Sequence, residues 1–116
     1  MRIAVIEDDP DLRRLLTTLL SEDAAHLIGA FEPETLDRGA GPFDLAFTDL
    51  RLPHVDDEAD ARSWICEVRK VARRVVLVTG QPSAVRLGAS ALGADALIPK
   101  PFDLDMILAA IGGEPA

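Results

Sequence analysis

A single cysteine, Cys66, rules out an internal disulfide and any metal cage built from CxxC pairs. No apolar run is long enough to span a bilayer, and no charged-then-apolar leader opens the chain, so a cytoplasmic protein with no membrane partner is expected. Positive charge is in deficit as well. The formal net charge is −8, the wrong sign for a nucleic-acid-binding surface. The first apolar run leads into Glu7-Asp8-Asp9-Pro10 with no glycine-rich loop, which disfavours a nucleotide phosphate site. Internal repeats, linkers and low-complexity segments are missing too. What remains is ordinary for a globular protein: 116 residues, 48% apolar and 28% charged, enough for one domain over residues 1–116.

Short apolar runs alternate with segments of helical period. Ile3 to Ile6 reads as a first strand, followed by Leu12, Leu15, Leu16, Leu19 and Leu20 along one helical stripe. Asp9 before Pro10 reads as a helix cap followed by proline in the first turn. Further strands are predicted over Ala24 to Phe31, Leu45 to Thr48, Val75 to Val78 and Ala94 to Ile98. Between them fall a short helix near Pro33 to Leu36, one burying Ala61, Trp64, Ile65 and Val68, and one over Ser83 to Leu92 stopped by Gly93. Asp103 caps a last helix carrying Leu104, Ile107, Leu108 and Ile111. This is an α/β pattern of five βα units. Strands apolar throughout imply a parallel sheet covered on both faces, and right-handed crossovers favour the order 2-1-3-4-5.

In such a sheet, ligands bind beyond the carboxyl ends of the strands, at the point where the strand order reverses. Four strand ends carry reactive groups: Glu7 and Asp8, Asp49, Thr79 and Lys100. Carboxylates at neighbouring strand ends repel one another, and a hard divalent ion such as Mg²⁺ relieves that repulsion. A hydroxyl and an ammonium beside them suit a phosphoryl group on Asp49.

The stretches Ile6-Glu7-Asp8-Asp9-Pro10, Thr48-Asp49-Leu50-Arg51-Leu52-Pro53, Val78-Thr79-Gly80 and Lys100-Pro101-Phe102 together resemble the receiver domain of two-component response regulators. The likeness covers nearly the whole chain and implies a flavodoxin-like, doubly wound (βα)5 fold. It also implies that Asp49 is the phosphoacceptor, that Glu7 and Asp8 hold Mg²⁺ with it, and that Arg51 offers its backbone carbonyl to the metal. Thr79 would be the switch hydroxyl, Lys100 the charge-neutralising lysine, and the bond before Pro101 cis. The partners implied are a sensor histidine kinase or histidine phosphotransfer protein and a downstream protein target. A monomer or weak dimer is expected. Met1 and the short tail after Ile111 suit a stand-alone, full-length chain.

Three positions depart from the family pattern. Leu97 stands where receivers usually carry an aromatic residue, Asp57 ends a loop that commonly closes on glycine, and Gly80 replaces a common alanine. Elsewhere the structural reading prevails: Asp9 and Asp11 as capping acids, His54 as a loop residue and His26 as a strand or edge residue. Cys66 and Trp64 read as core, and Arg69-Lys70 with Arg73-Arg74 as a solvated helix end. A pseudo-receiver that binds partners without a phosphorylation switch is the alternative to the phosphorelay reading. A phosphohydrolase is disfavoured, because Arg51 stands where such an enzyme needs a second acid, and the chain is not expected to be an enzyme.

Overall fold

Ile3, Ala4, Val5 and Ile6 are fully or almost fully buried, because their strand has a neighbour on each edge and helices over each face. The computed structural model describes residues 1–23, 25–36, 39, 41–49 and 58–112, and of Glu34 the backbone alone. The strands are β1 (Arg2–Ile6), β2 (Leu27–Phe31), β3 (Phe43–Thr48), β4 (Ala72–Thr79) and β5 (Ala96–Pro99). They pair in parallel in the order β2-β1-β3-β4-β5, as the sequence pattern predicts. The helices are α1 (Pro10–Ser21), α2 (Glu58–Arg69), α3 (Pro82–Leu87), α4 (Ala89–Leu92) and α5 (Leu104–Ile111), with a 3₁₀ turn at Pro33–Thr35. Among the described residues no helix is long and apolar enough to cross a membrane.

Strand alternation divides the core in two. Ala4, Ile6, Ala46, Val75 and Leu77 meet Trp64, Ile65 and Val68 of α2 and Leu92 of α4. Ile3, Val5, Leu45, Phe47, Val76, Val78 and Ile98 meet Leu16 and Leu20 of α1 and Ile107 and Ala110 of α5. The result is a three-layer α/β fold of the flavodoxin-like type. Its sheet is held from both faces by apolar side chains, and the polar strand tails emerge at one end.

Several boundaries differ from the sequence reading. β2 begins at Leu27 and β5 at Ala96, each later than the apolar runs suggest, while β4 begins three residues earlier, at Ala72. Pairing of Ala72 with Phe43 and of Arg74 with Leu45 extends β4 through the two arginines, so the sheet margin overrides their polarity. The helix predicted over Ser83 to Leu92 is broken. Gly88, at φ +84° and ψ 166°, interrupts it in a backbone region that glycine alone enters freely. Gly93 does terminate the second piece, in the left-handed conformation.

Candidate functional site

Main-chain hydrogen bonds first bring the strand tails together. The Glu7 N–H donates to Phe31 O (3.1 Å), the Asp49 N–H to Ile6 O (3.2 Å) and the Lys100 N–H to Thr79 O (2.9 Å). Asp9 caps α1, accepting from the N–H groups of Asp11 and Leu12 at 2.9 and 3.4 Å, as its place before Pro10 predicts. Arg13, one turn into α1, donates from Nη1 to the Glu7 carbonyl at 2.8 Å and fixes the acidic turn from behind. No sequence motif singles Arg13 out, since an arginine in the first turns of a helix is normally solvated.

The side chains then converge. Lys100 Nζ lies 3.0 Å from Asp49 Oδ2 and 3.2 Å from Glu7 Oε1. Glu7 and Asp49 are each only 2% exposed. Burial, and after it the charge of Asp49, push the Glu7 carboxyl up to about 7, against the opposing pull of Lys100. One ammonium therefore does not balance two buried carboxylates. Glu7, Asp8, Asp9, Asp49 and Lys100 line one cavity of about 170 Å³.

Among the described residues no group of three acid, histidine or cysteine side chains is placed to hold a metal ion. Mg²⁺ does not require one, because it keeps several waters and takes one or two carboxylates with the substrate's phosphate oxygens. Glu7, Asp8 and Asp49 line one cavity, and their carboxylate oxygens are the donor type that a hard divalent cation takes.

Of the residues predicted for the site, Glu7, Asp8, Asp49 and Lys100 are brought together. Thr79 is fully buried at the end of β4 and is not a wall of that cavity; its hydroxyl accepts the Gln81 N–H at 3.2 Å. Arg51 lies outside the described residues, as do Pro53, His54 and Asp57. The Lys100–Pro101 bond is cis, and so is Gly41–Pro42, which the sequence reading did not anticipate. Gly80 faces the lysine stem: a β-carbon there would sit 3.6 Å from Lys100 Cβ. Leu97, at the usual aromatic position, is partly buried against the α2 side of the core.

Two readings need correction. Cys66 is exposed, because the buried face of α2 is the stripe Ala61, Trp64, Ile65 and Val68, and Cys66 falls beside it. Arg73 and Arg74 belong to β4 and not to a helix end, and Arg74 donates to Ala110 O (2.6 Å) and Ile111 O (3.4 Å), capping α5. His26 stands immediately before the edge strand β2, mostly buried, with Nε2 3.6 Å from Asp23 Oδ2. Sequence reasoning also passed over Thr48, whose buried hydroxyl accepts the Trp64 indole N–H at 2.8 Å and donates to the Asp49 carbonyl at 3.2 Å.

Acids at the reversal point of a parallel sheet, closed over by a strand-end lysine, define a flavodoxin-like domain with a polar site at its carboxyl edge. The response regulator receiver domain family matches the chain over residues 3–112, and the chain belongs to this family. Solved structures agree. The non-phosphorylated HemR receiver domain from Leptospira biflexa is 32% identical, over 96% of this chain and 90% of that one, with a TM-score of 0.70. The response regulator protein TrrA from Thermotoga maritima, in complex with Mg²⁺-BeF, is 27% identical over 96% of each chain at a TM-score of 0.73. A BeF3-activated DrrB receiver domain is 26% identical, over 96% of this chain and 93% of that one, at 0.71.

Proposed function

We propose that this receiver accepts a phosphoryl group on Asp49 from a phosphohistidine of a sensor kinase or phosphotransfer protein, and passes the signal on through protein contacts. The observation that carries this reading is the buried Asp49 carboxylate, held 3.0 Å from the Lys100 ammonium in a cavity shared with Glu7 and Asp8. An Asp49 oxygen attacks phosphorus, the new O–P bond forms as the P–N bond to histidine breaks, and the imidazole leaves. Lys100 shifts from the carboxylate toward the phosphoryl oxygens and neutralises them. Glu7 and Asp8, with Asp49 and the backbone carbonyl of Arg51, would hold Mg²⁺, which would supply charge stabilisation to the transferring phosphoryl. Thr79 is assigned the switch hydroxyl, which must move from its Gln81 contact to meet the phosphoryl group.

The chain is read as a phosphoacceptor that assists its own phosphorylation and hydrolysis, not as an enzyme turning over a separate substrate. It works in the cytoplasm, as a monomer or weak dimer. The expected result is Mg²⁺-dependent labelling by acetyl phosphate or a cognate kinase, lost in Asp49→Asn. Full labelling of that variant at another residue would sink the assignment.

The pseudo-receiver reading draws on Leu97, whose aliphatic side chain packs against the core where an aromatic rotamer would report the switch. Beryllofluoride with Mg²⁺ separates the two readings. Shifted amide resonances at Thr79 and Leu97 support the switch, and unmoved ones favour the pseudo-receiver.

A further inference from the structure

The geometry points to Trp64 and Thr48 as a positioning pair for Asp49, an inference that rests on the phosphoacceptor reading above. Thr48 is the last residue of β3 and is almost wholly buried. Its side chain turns to the α2 face, where it accepts the Trp64 Nε1–H at 2.8 Å. An indole N–H buried in an apolar layer requires an acceptor, and Trp64 lies among Ala61, Ile65 and Val68. The same hydroxyl donates onward to the Asp49 carbonyl at 3.2 Å. Hydrogen bonds in such a chain polarise one another, so the indole strengthens the hold of Thr48 on the Asp49 peptide.

Asp49 is thereby gripped on both sides. Its N–H donates to Ile6 O on β1, and its C=O accepts from Thr48, which is backed by Trp64 on α2. With both main-chain groups fixed, only the side-chain torsions decide where the carboxylate points, and Lys100 and Glu7 constrain those. Attack on phosphorus depends on that direction, and small misplacements of a reacting group cost rate steeply. Trp64 and Thr48 act through the Asp49 backbone.

The pair carries its own reporter, because Trp64 is the only tryptophan in the chain. In wild-type protein, saturation with Mg²⁺ and beryllofluoride is expected to change Trp64 emission, and Asp49→Asn to abolish the change. Thr48→Val should shrink the emission change and slow acetyl phosphate labelling about five- to tenfold, the scale of one lost buried hydrogen bond, with the KM for acetyl phosphate unchanged. Trp64→Phe should slow labelling similarly, and Thr48→Ser, which keeps the hydroxyl, should restore both readouts. Labelling is followed well below the melting temperature of each variant, where loss of stability alone leaves the rate untouched. A silent Trp64 in wild-type protein that is nonetheless labelled at Asp49 would overturn the pairing and leave the phosphoacceptor reading standing. So would wild-type labelling rates in Thr48→Val and Trp64→Phe. Wild-type protein that is not labelled at all would remove both.

Discussion

The Lys100 ammonium lies between Asp49 Oδ2 and Glu7 Oε1, at 3.0 and 3.2 Å, and is the counter-charge that allows two carboxylates to be buried at one edge of the sheet. Removing it should be costly. Lys100→Met keeps the stem and deletes the charge, leaving Glu7 and Asp49 against each other. Losing one partner of a fully buried pair costs about 3–5 kcal/mol; the lysine is a fifth exposed, so a loss of about 2 kcal/mol is expected in urea denaturation. Adding Asp49→Asn should recover part of the loss. If the double variant is no more stable than Lys100→Met, the repulsion account is wrong.

Glu7 makes the metal-free protein sensitive to pH. Its folded-state value of about 7 lies above the ordinary 4.5 of a solvated glutamate, so between these limits the folded protein binds more protons than the unfolded chain. Its stabilising contribution is therefore fully present below the unfolded value and is lost as pH rises through about 7. Melting temperatures in chelator should fall from pH 5 to pH 8, and Glu7→Gln should flatten that slope. An unchanged slope in the variant would assign the effect to another group.

Arg74 ties the N-terminal half of β4 to the last turn of α5 through the carbonyls of Ala110 and Ile111. Helix C-termini favour a cation and leave carbonyls in need of donors. Arg74→Ala is expected to cost about 1–2 kcal/mol and to speed amide exchange in α5 more than in α1. Equal protection of the two helices in the variant would argue against the cap.

Gly80 does not need to be glycine for reasons of space. A β-carbon would meet Lys100 Cβ at 3.6 Å and Cδ at 3.9 Å, both ordinary van der Waals contacts. Gly80→Ala should fold normally and gain about 0.4–1 kcal/mol by restricting the unfolded chain. A destabilised variant would show that the Lys100 stem needs the room.

The acids at the site were legible because they interrupt apolar runs. Glu7, Asp8, Asp49 and Lys100 each stand at a strand end, and the structure gathers them around one cavity. Thr79 follows the same rule, yet its side chain bonds the Gln81 N–H and lies outside that cavity's walls, because a strand end fixes a position and not a rotamer. Arg13 and Thr48 gave no signal. Each acts by donating to a main-chain carbonyl, and such carbonyls are the same in every sequence.

The sequence by itself determined the alternation of strand and helix, the parallel sheet and its order, and the residue types at each strand end, since these follow from local periodicity and from the handedness of crossovers. Tertiary structure alone decided the extent of β4, the break at Gly88, the exposure of Cys66 and the partners of Arg74. It also decided the charge state toward which Glu7 is driven, because burial beside Asp49 depends on groups 42 positions apart meeting at one sheet edge. Pattern in a chain reports the near neighbours of each residue, whereas desolvation and hydrogen-bond partners are set by the packing of distant segments.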